Sequence, residues 1–298
     1  MSDLIQRNVG PARLREMLAG PEPVLAPGAY DGLTARLIEK AGFEAVYMTG
    51  FGTAASVLGR PDIGLLSFSE MADNARRIAQ AVEVPVIADA DDGYGNPINV
   101  IRTIREYEAA GVSAIHIEDQ MSPKKCGHME GKQVIDAGEM VEKVHAAVEA
   151  RHSEDLLIIA RTDARAVEGM EEALERARRY REAGADALFV EAPQSEEEVV
   201  AVAQAFPDVP LLFNWLEGGD TPPVSLERLK ELGFDLIIFP LSAMLAATRS
   251  VAEVLAYIRA SGTPAPITDQ LLAFEEFTDF IGMPEIRELE ERFEDQEV

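Results

Sequence analysis

The stretch Val84-Pro85-Val86-Ile87-Ala88-Asp89-Ala90-Asp91-Asp92 passes directly from apolar residues to a group of three carboxylates. Unbroken apolar runs are typical of strands that are covered on both faces, as the strands of parallel sheets are. Similar runs recur along the chain, and each is followed by a segment of helical pattern, which indicates repeated βα units. The predicted strands are residues 24–27, 45–49, 84–88, 114–118, 156–161, 187–191, 210–214 and 236–240.

The helical segments share a stop signal, and the predicted strands share polar ends. Glycine stands where a left-handed C-cap is needed at Gly42, Gly111, Gly184 and Gly233. Eight βα units in about 240 residues match an α/β fold of the (β/α)₈ TIM-barrel type, with a doubly wound sheet as the alternative. Barrel enzymes build their sites at the carboxyl ends of several strands, which favours the barrel. Polar side chains occupy these ends at Thr49, Asp89, Asp91, Glu118, Arg161, Glu191 and Asn214.

No Ser/Gly-rich linker divides the chain, so residues 1–298 are expected to form a single barrel domain. After the eighth unit, residues 268–298 carry apolar side chains at helical spacing, which predicts a C-terminal helical extension. This stripe has to be buried on the chain's own barrel or on a neighbouring subunit. We therefore expect a homo-oligomer, and specifically a tetramer.

The charge balance restricts the possible partners. The chain of 298 residues has 53 acidic and 27 basic residues, a formal net charge of −26. Nucleic acid and anionic membranes are not expected to bind, because their phosphates would be repelled. Self-repulsion on this scale is relieved by salt, which suggests a halophilic protein. A polar N-terminus and a single cysteine predict a cytoplasmic protein with neither a signal peptide nor a membrane span.

The acidic cluster suggests a metal site. Asp89 and Asp91 share one side of the chain at period-two spacing, and grouped carboxylates repel unless a cation compensates them. Hard cations that take oxygen ligands suit such a cluster, so Mg²⁺ is expected, with Mn²⁺ as an alternative. Asp62 and Glu118 are possible partners, although helix capping or a surface ion pair explains each equally well.

A second feature is the lone thiol in Lys124-Lys125-Cys126-Gly127-His128. Nearby positive charge can lower the pKa of Cys126, so either a usable thiolate or a ready proton donor is expected. The alternative is a small buried hydrophobe, as free cysteines commonly are. The surrounding segment is polar and typical of a mobile lid, in which His128 would tune the thiol. His116, within a predicted strand, is expected to be a packed core residue.

Arg161 closes an apolar run, where a guanidinium can bind a carboxylate in bidentate fashion. A buried ion pair with Glu191 or Asp163 is the alternative, and both roles are compatible. Gly50, Phe51 and Gly52 could offer backbone N–H groups to an anion.

Taken together, these motifs resemble the isocitrate lyase and phosphoenolpyruvate mutase superfamily, from about residue 27 to the end of the eighth unit. The Lys-Lys-Cys-Gly-His segment is similar to the signature of the carbon–carbon lyases of that family, so the resemblance implies a lyase. Matching segments are 47–50, 61–62, 89–91, 117–120, 160–164, 190–192, Asn214 and 240–242. Phosphonomutase members share the barrel and the metal but generally lack the cysteine loop.

The resemblance also implies residue roles. Asp89 would meet Mg²⁺ most directly, while Asp62, Asp91 and Glu118 hold its waters. Tyr47 would be the base and Cys126 the acid, with His128 and Glu191 assisting and Arg161 serving both catalysis and binding. Substrate carboxylates would be bound by Thr49, Gly50, Phe51, Lys124, Gly127, Arg161 and Asn214. Phe189 and Leu241 resemble apolar pocket residues of 2-methylisocitrate lyases, where a substrate methyl group needs space.

The implied activity is retro-Claisen cleavage of a 2-hydroxy di- or tricarboxylate, with 2-methylisocitrate, giving pyruvate and succinate, as the first choice. Isocitrate, 2,3-dimethylmalate and oxaloacetate are alternatives for the same site. A phosphonomutase or phosphonate hydrolase, or a non-catalytic carboxylate-binding barrel, are alternatives of other classes. Two departures from the family pattern are Asp92, where Thr or an apolar residue is expected, and Thr49, which replaces a frequent Ser.

Overall fold

A computed structural model describes residues 10–129 and 131–294. Eight parallel strands form a nearly closed barrel, in which neighbouring strands are consecutive in sequence except where β8 pairs with β1. The sheet order is β6-β5-β4-β3-β2-β1-β8-β7, and a parallel bridge between Leu188 and Leu211 joins the two ends. The strands are β1 Val24–Ala29, β2 Val46–Met48, β3 Val86–Asp89, β4 Ala114–Glu118, β5 Leu157–Thr162, β6 Ala187–Val190, β7 Leu212–Asn214 and β8 Leu236–Phe239.

The barrel prediction is confirmed, and the doubly wound alternative is excluded because consecutive strands pair around the whole sheet. Each strand overlaps its predicted run, and its bounds differ from the prediction by at most two residues. The helices are α1 Gly10–Leu18, α2 Gly32–Lys40, α3 Gly50–Leu58, α4 Phe68–Ala81, α5 Pro97–Ala110, α6 Ala137–Ala150, α7 Ala164–Glu168, α8 Met170–Glu182, α9 Glu196–Ala205, α10 Leu226–Leu232, α11 Ser242–Ser261, the 3₁₀ helix Ala265–Gln270, α12 Phe274–Phe280 and α13 Met283–Glu294.

Helix ends follow the predicted chemistry. Gly111 and Gly233 cap α5 and α10 at φ values of 94° and 86°, in the left-handed region that favours glycine. At the other end of α5, the Asn96 side chain accepts hydrogen bonds from the backbone N–H groups of Ile98 and Asn99. These local signals fix where each helix begins and ends, and so where the loops that carry the polar residues leave the barrel.

The core has two layers. One cluster fills the barrel with side chains from alternate strand positions, such as Val24 with Ala26 and Leu157 with Ile159. The other lies between the outer face of the sheet and the surrounding helices. Because side chains alternate along each strand, the inward series also carries polar groups toward the carboxyl ends of the strands.

The described residues up to Met244 form one compact unit, and those from Leu245 onward form another. None of the residues of α11, α12 or α13 is buried in the single chain. Within the predicted C-terminal extension, Phe274 is 84% exposed and Leu272 53%. Most apolar side chains of the expected stripe are therefore exposed in the single chain. Among the described residues, no helix combines the length and the apolar character needed to cross a membrane.

Candidate active site

Carboxylates gather at the carboxyl ends of β3 and β4. Asp89 ends β3 and accepts hydrogen bonds from the backbone N–H groups of Gly50 and Asp91, at 3.2 and 3.0 Å. Asp91 adopts a φ of 48°, which is uncommon for a residue with a side chain. Glu118 ends β4, and Asp62 lies in the loop after α3. All four are buried, as a functional acidic cluster inside a pocket would be.

Lys124 provides the positive charge next to this cluster. Its Nζ lies 2.7 Å from Asp62 and 2.6 Å from Asp91. The sequence placed Lys124 among the groups that bind substrate carboxylates, whereas the structure places its ammonium against two carboxylates of the protein. Burial raises the pKa of Asp91 to about 7 against the lowering effect of Lys124.

The acidic residues fit a hydrated divalent cation better than a closed cage. Among the described residues, no three His, Cys, Asp or Glu side chains converge as a ready-made metal site. Mg²⁺, however, keeps several waters and needs only one or two direct carboxylates. Glu118 Oε1 is buried without a hydrogen-bond partner, and burial raises the pKa of this carboxyl well above its ordinary value. A cation with its water shell would supply the missing partner.

The unexpected Asp92 has a local role. Its carboxylate accepts a hydrogen bond from the Tyr94 backbone N–H at 2.8 Å, and its carbonyl accepts one from Lys143 Nζ at 3.0 Å. The side chain is buried within this turn. Asp92 therefore shapes the loop that follows Asp91.

Tyr47 and His116 form a pair inside the barrel. The Tyr47 hydroxyl lies 2.9 Å from His116 Nε2, and the two rings are stacked with centroids 5.7 Å apart. Burial lowers the pKa of His116 to about 4, so its imidazole is neutral at neutral pH, and burial with the charge of Asp89 raises the pKa of Tyr47. His116 is buried as expected, but it belongs to the site. Its place two residues before Glu118 on the inward face of β4 is the signal that would have revealed it.

Arg161 places a positive charge among Glu118, Asp163 and Glu191. Its Nε lies 2.9 Å from Asp163 Oδ2 and 3.3 Å from Glu118 Oε2, and its Nη2 lies 3.8 Å from Glu191 Oε1. Its guanidinium carbon lies 5.0 Å from the centre of the Phe189 ring. The buried ion pairs considered in the sequence are thus present. They fix the guanidinium at the rim, with one face on an aromatic ring.

Glu191 lies between Arg161 and Asn214, the last residue of β7. Burial opposes its ionisation, but Arg161 and His128 outweigh burial and hold the pKa of Glu191 well below its ordinary value. Its carboxylate accepts a hydrogen bond from Asn214 Nδ2 at 3.2 Å, and His128 Nε2 lies 3.1 Å from it. Glu191 therefore holds three neighbouring groups in place.

The N-terminus of α3 offers less to an anion than the sequence suggested. The Gly50 N–H donates to Asp89, and the Gly52 N–H donates to Thr49 Oγ1 at 3.2 Å. Both are already engaged within the protein. Thr49 acts as the N-cap of α3, and its hydroxyl serves the helix as a Ser would.

The cysteine loop, residues 121–129 and 131–136, connects β4 to α6 and places the thiol at the site. The Cys126 backbone N–H donates to the Asp62 carbonyl at 3.2 Å. Burial raises the pKa of the Cys126 thiol to about 11, while the His128 backbone N–H opposes this effect. The expected lowering of the thiol pKa is therefore wrong, because burial outweighs the nearby cations. The thiol stays protonated at neutral pH, which agrees with the proton-donor alternative.

Most of these groups line one pocket at the carboxyl end of the barrel. The described lining residues are Tyr47, Thr49, Phe51, Asp62, Asp89, Glu118, Lys124, Lys125, Cys126, Gly127, His128, Arg161, Glu191, Asn214, Leu216, Pro240 and Leu241. Of the residues selected from the sequence, Gly50, Asp91 and Phe189 are not among the lining residues. Leu216 and Pro240 were not assigned a role from the sequence, because Leu and Pro carry no chemical signal of a site. Lys125 was considered only as a charge beside the thiol.

Known proteins share both the sequence and the fold. A family model described as phosphoenolpyruvate phosphomutase matches residues 14–259. The 2,3-dimethylmalate lyase of Eubacterium barkeri is 46% identical over 282 residues, covering 95% of this chain and 97% of the relative. A 2-methylisocitrate lyase of Aeropyrum pernix is 47% identical over 269 residues, covering 90% and 86%.

Solved structures of related enzymes share this fold. A crystal structure of 2,3-dimethylmalate lyase, described as a member of the PEP mutase/isocitrate lyase superfamily, matches with a TM-score of 0.91 and 42% identity over 95% of both chains. Phosphonopyruvate hydrolase in complex with oxalate and Mg²⁺ matches with a TM-score of 0.87 and 33% identity over 96% of this chain and 99% of that one. This chain therefore belongs to the phosphoenolpyruvate mutase/isocitrate lyase superfamily.

Proposed function

We propose that this protein is a Mg²⁺-dependent carbon–carbon lyase that cleaves 2-methylisocitrate to pyruvate and succinate. The observation that carries the proposal is a protonated, half-buried thiol, Cys126, in one pocket with Tyr47, Arg161 and the acidic cluster. A lyase needs this arrangement because it must remove one proton and deliver another at two sites of the same substrate. Relatives named 2-methylisocitrate lyase support the choice of substrate.

The reaction begins at the 2-hydroxyl group of the substrate. Tyr47, as its phenolate, accepts the hydroxyl proton and returns it to solvent after the turnover. The C2–C3 bond breaks, and its electron pair remains on C3 while C2 becomes the carbonyl carbon of pyruvate. Burial first, and the charge of Asp89 second, raise the pKa of the Tyr47 phenol, so compensation of the Asp89 charge would favour its ionised form. Asp89, with Asp62, Asp91 and Glu118 around it, would hold a divalent cation, which would supply this compensation and stabilise negative charge on the substrate oxygens.

Cys126 completes the cycle. Its S–H proton passes to C3 of the succinate carbanion, so the thiol of one turnover becomes a thiolate that solvent reprotonates. The raised pKa of Cys126 keeps the proton on sulfur until the carbanion forms. Arg161 and Asn214 line the same pocket, where they can bind substrate carboxylates. Mn²⁺ has the same oxygen preference and is an alternative metal.

A second candidate substrate is 2,3-dimethylmalate, favoured by the 46% identity to a lyase of that name. Its cleavage by the same steps gives pyruvate and propionate. The two substrates differ by one carboxylate. Lys124 and Arg161 line the pocket, but they already pair with carboxylates of the protein. The preference for the tricarboxylate therefore rests on the relatives named 2-methylisocitrate lyase.

The test is a parallel assay by proton and phosphorus NMR, with Mg²⁺, of 2-methylisocitrate, 2,3-dimethylmalate, isocitrate, oxaloacetate and phosphonopyruvate. The expected result is rapid formation of pyruvate and succinate from 2-methylisocitrate. Formation of propionate from 2,3-dimethylmalate as the fastest reaction would instead identify 2,3-dimethylmalate as the substrate. Turnover of phosphonopyruvate alone would contradict the lyase assignment. Activity that survives EDTA and exhaustive dialysis would contradict the metal role of Asp89 and Asp91.

We also propose that the protein acts in the cytoplasm as a homo-oligomer, specifically a tetramer. Support for the oligomer comes from α11 to α13, whose residues are all unburied in one chain, including Val251 at 56% and Leu255 at 59% exposure. Exposed apolar surface of this extent marks an interaction site. A single free cysteine is compatible with a reducing compartment.

A further inference from the structure

Lys132 lies in the cysteine loop but outside the pocket lining. Its side chain is only 3% exposed. Its Nζ donates to the carbonyl oxygen of Gly127 and lies 3.2 Å from Asp163 Oδ1. Burying an ammonium group is costly unless it is paired and hydrogen-bonded, so these two contacts are what stabilise Lys132 in this position.

The Asp163 end of this connection is rigid. Asp163 Oδ2 accepts a hydrogen bond from Arg161 Nε at 2.9 Å, and Oδ1 accepts one from Arg161 Nη2 at 3.1 Å. The Asp163 backbone N–H donates to Asp119 Oδ1 at 2.8 Å, and Asp119 also accepts from Tyr180 at 2.7 Å. One buried carboxylate thus binds both Arg161 and Lys132 and is itself fixed to the barrel.

The Gly127 end is closely packed. A Cβ at Gly127 would overlap Glu191 Oε1 and Arg161 Nη2, so the backbone next to Cys126 lies directly against this ion pair. The loop is also held at its base, where the Met121 N–H donates to the Gln133 carbonyl at 2.8 Å. The Cys126 N–H also donates to the Asp62 carbonyl at 3.2 Å, and the Lys125 N–H donates to Gln120 Oε1 at 2.9 Å, so both contacts hold the side of the tip that precedes Gly127. Lys132 lies in the part of the loop that leads to α6. From there its ammonium contacts both the Gly127 carbonyl, next to Cys126, and Asp163, which follows β5.

We propose that Lys132 is a positioning residue that holds Cys126 at the site by joining the Gly127 carbonyl to Asp163. The inference rests on the proposed function, in which Cys126 is the acid, and it adds a residue that acts through the loop rather than on the substrate. Loss of the Lys132 ammonium would leave the pocket residues in place but release the backbone that carries the thiol. The acid would then be misplaced relative to the carbanion, so kcat is expected to fall by about 10²-fold with little change in KM.

The experiment uses the only cysteine of the chain as a reporter of the loop. The rate of Cys126 alkylation by iodoacetamide is measured by mass spectrometry in the full-length protein and in Lys132→Met, which keeps the length of the stem without the charge. Lys132→Arg tests rescue by a cation. Gln133→Ala is the matched control, because this neighbouring side chain is exposed. Circular dichroism and thermal unfolding verify folding, and Lys132→Gln replaces Lys132→Met if the latter does not fold.

We expect Lys132→Met to be alkylated about tenfold faster or more than wild type, since a hydrogen-bonded charge shifts a local opening equilibrium by such a factor. Lys132→Arg should return toward the wild-type rate, and Gln133→Ala should match it. Unchanged alkylation in Lys132→Met, or faster alkylation with unchanged kcat, would overturn the proposal. The alkylation rate needs no substrate, so an inactive wild-type protein would refute the proposed function while the rate still decided whether Lys132 holds the loop.

Discussion

A sequence reveals the type and neighbours of a residue but not its burial or its distant partners, as three residues of the site show: Cys126, Lys124 and His116. The selection of Cys126 followed from its neighbours, but the direction of its pKa depended on burial, which raises it to about 11. Lys124 was assigned to substrate although its ammonium pairs with Asp62 and Asp91. His116 was recognised as buried, but its partner Tyr47 is 69 residues away in sequence. Solvent access and long-range partners arise only when the strands assemble.

The thiol pKa gives a prediction at this scale. Burial disfavours the thiolate, so the alkylation rate of Cys126 in the metal-free, substrate-free wild type should rise with pH through a midpoint near 11. An unperturbed thiol would titrate near about 8.5. The measurement is the pseudo-first-order rate of iodoacetamide labelling across alkaline pH, with a model thiol as reference. A midpoint at or below that of the model thiol would mean that nearby cations, rather than burial, control Cys126.

At the scale of elements, the strands and helix ends were predictable because the signals are local. Apolar runs located all eight strands, and glycine located the helix ends with positive φ at Gly42, Gly111, Gly184 and Gly233. The limits of short strands such as β7, Leu212–Asn214, were less well defined, since hydrogen bonding to neighbours sets them. The cysteine loop was correctly recognised as polar, but its ties to Glu191, Asp62 and Asp163 required the folded barrel.

The role of Asp89 in metal binding can be tested at helix α3, because one end of the helix provides the variant and the other end provides the matched control. A Cβ at Gly50 would overlap the Asp89 carboxylate, whereas a Cβ at Gly59 meets no atom within 4 Å. Gly50→Ala should displace Asp89 and weaken Mg²⁺ binding by about tenfold or more, because metal sites depend on the groups that orient their ligands. Gly59→Ala should cost about 1 kcal/mol of stability, from its φ of 62°, and leave Mg²⁺ affinity unchanged. Isothermal titration calorimetry with Mg²⁺ measures both, and equal affinities in the two variants would contradict the role of Asp89.

At the scale of the whole molecule, the barrel followed from the count and order of βα units, and family membership agrees with it. The quaternary state did not follow in the same way, because a sequence pattern shows which side chains are apolar but not which surface covers them. The residues of α11 to α13 remain unburied in one chain. The single-domain description of residues 1–298 and the tetramer both stay predictions.

The oligomer is tested by size-exclusion chromatography with light scattering. A tetramer is expected. Phe274→Ser with Leu255→Ser should dissociate it, because the substitutions remove two apolar side chains, 84% and 59% exposed in the single chain, that a subunit interface would bury. Ile98→Ser, at a 70% exposed position on α5, is the control and should leave the mass unchanged. A monomeric wild type at micromolar concentration would contradict the prediction.

The net charge of −26 predicts salt dependence. The melting temperature should rise steadily between millimolar and molar KCl, because the Debye length falls to about 3 Å at 1 M and screens self-repulsion. Differential scanning calorimetry at several KCl concentrations measures it, with sucrose at matched osmolality as the control for exclusion effects. Full stability and activity in millimolar salt would remove the halophilic prediction.

The central claim is that Cys126 delivers a proton in a carbon–carbon cleavage, and the most direct measurement compares the turnover of 2-methylisocitrate by the wild type and by Cys126→Ser with Mg²⁺. A hydroxyl is a far weaker acid than a thiol, so kcat should fall by about 10²–10⁴-fold. Folding, followed by circular dichroism, should be unchanged, because the side chains differ by one atom. Wild-type turnover in Cys126→Ser would contradict the assignment of the acid and, with it, the mechanism built on this pocket.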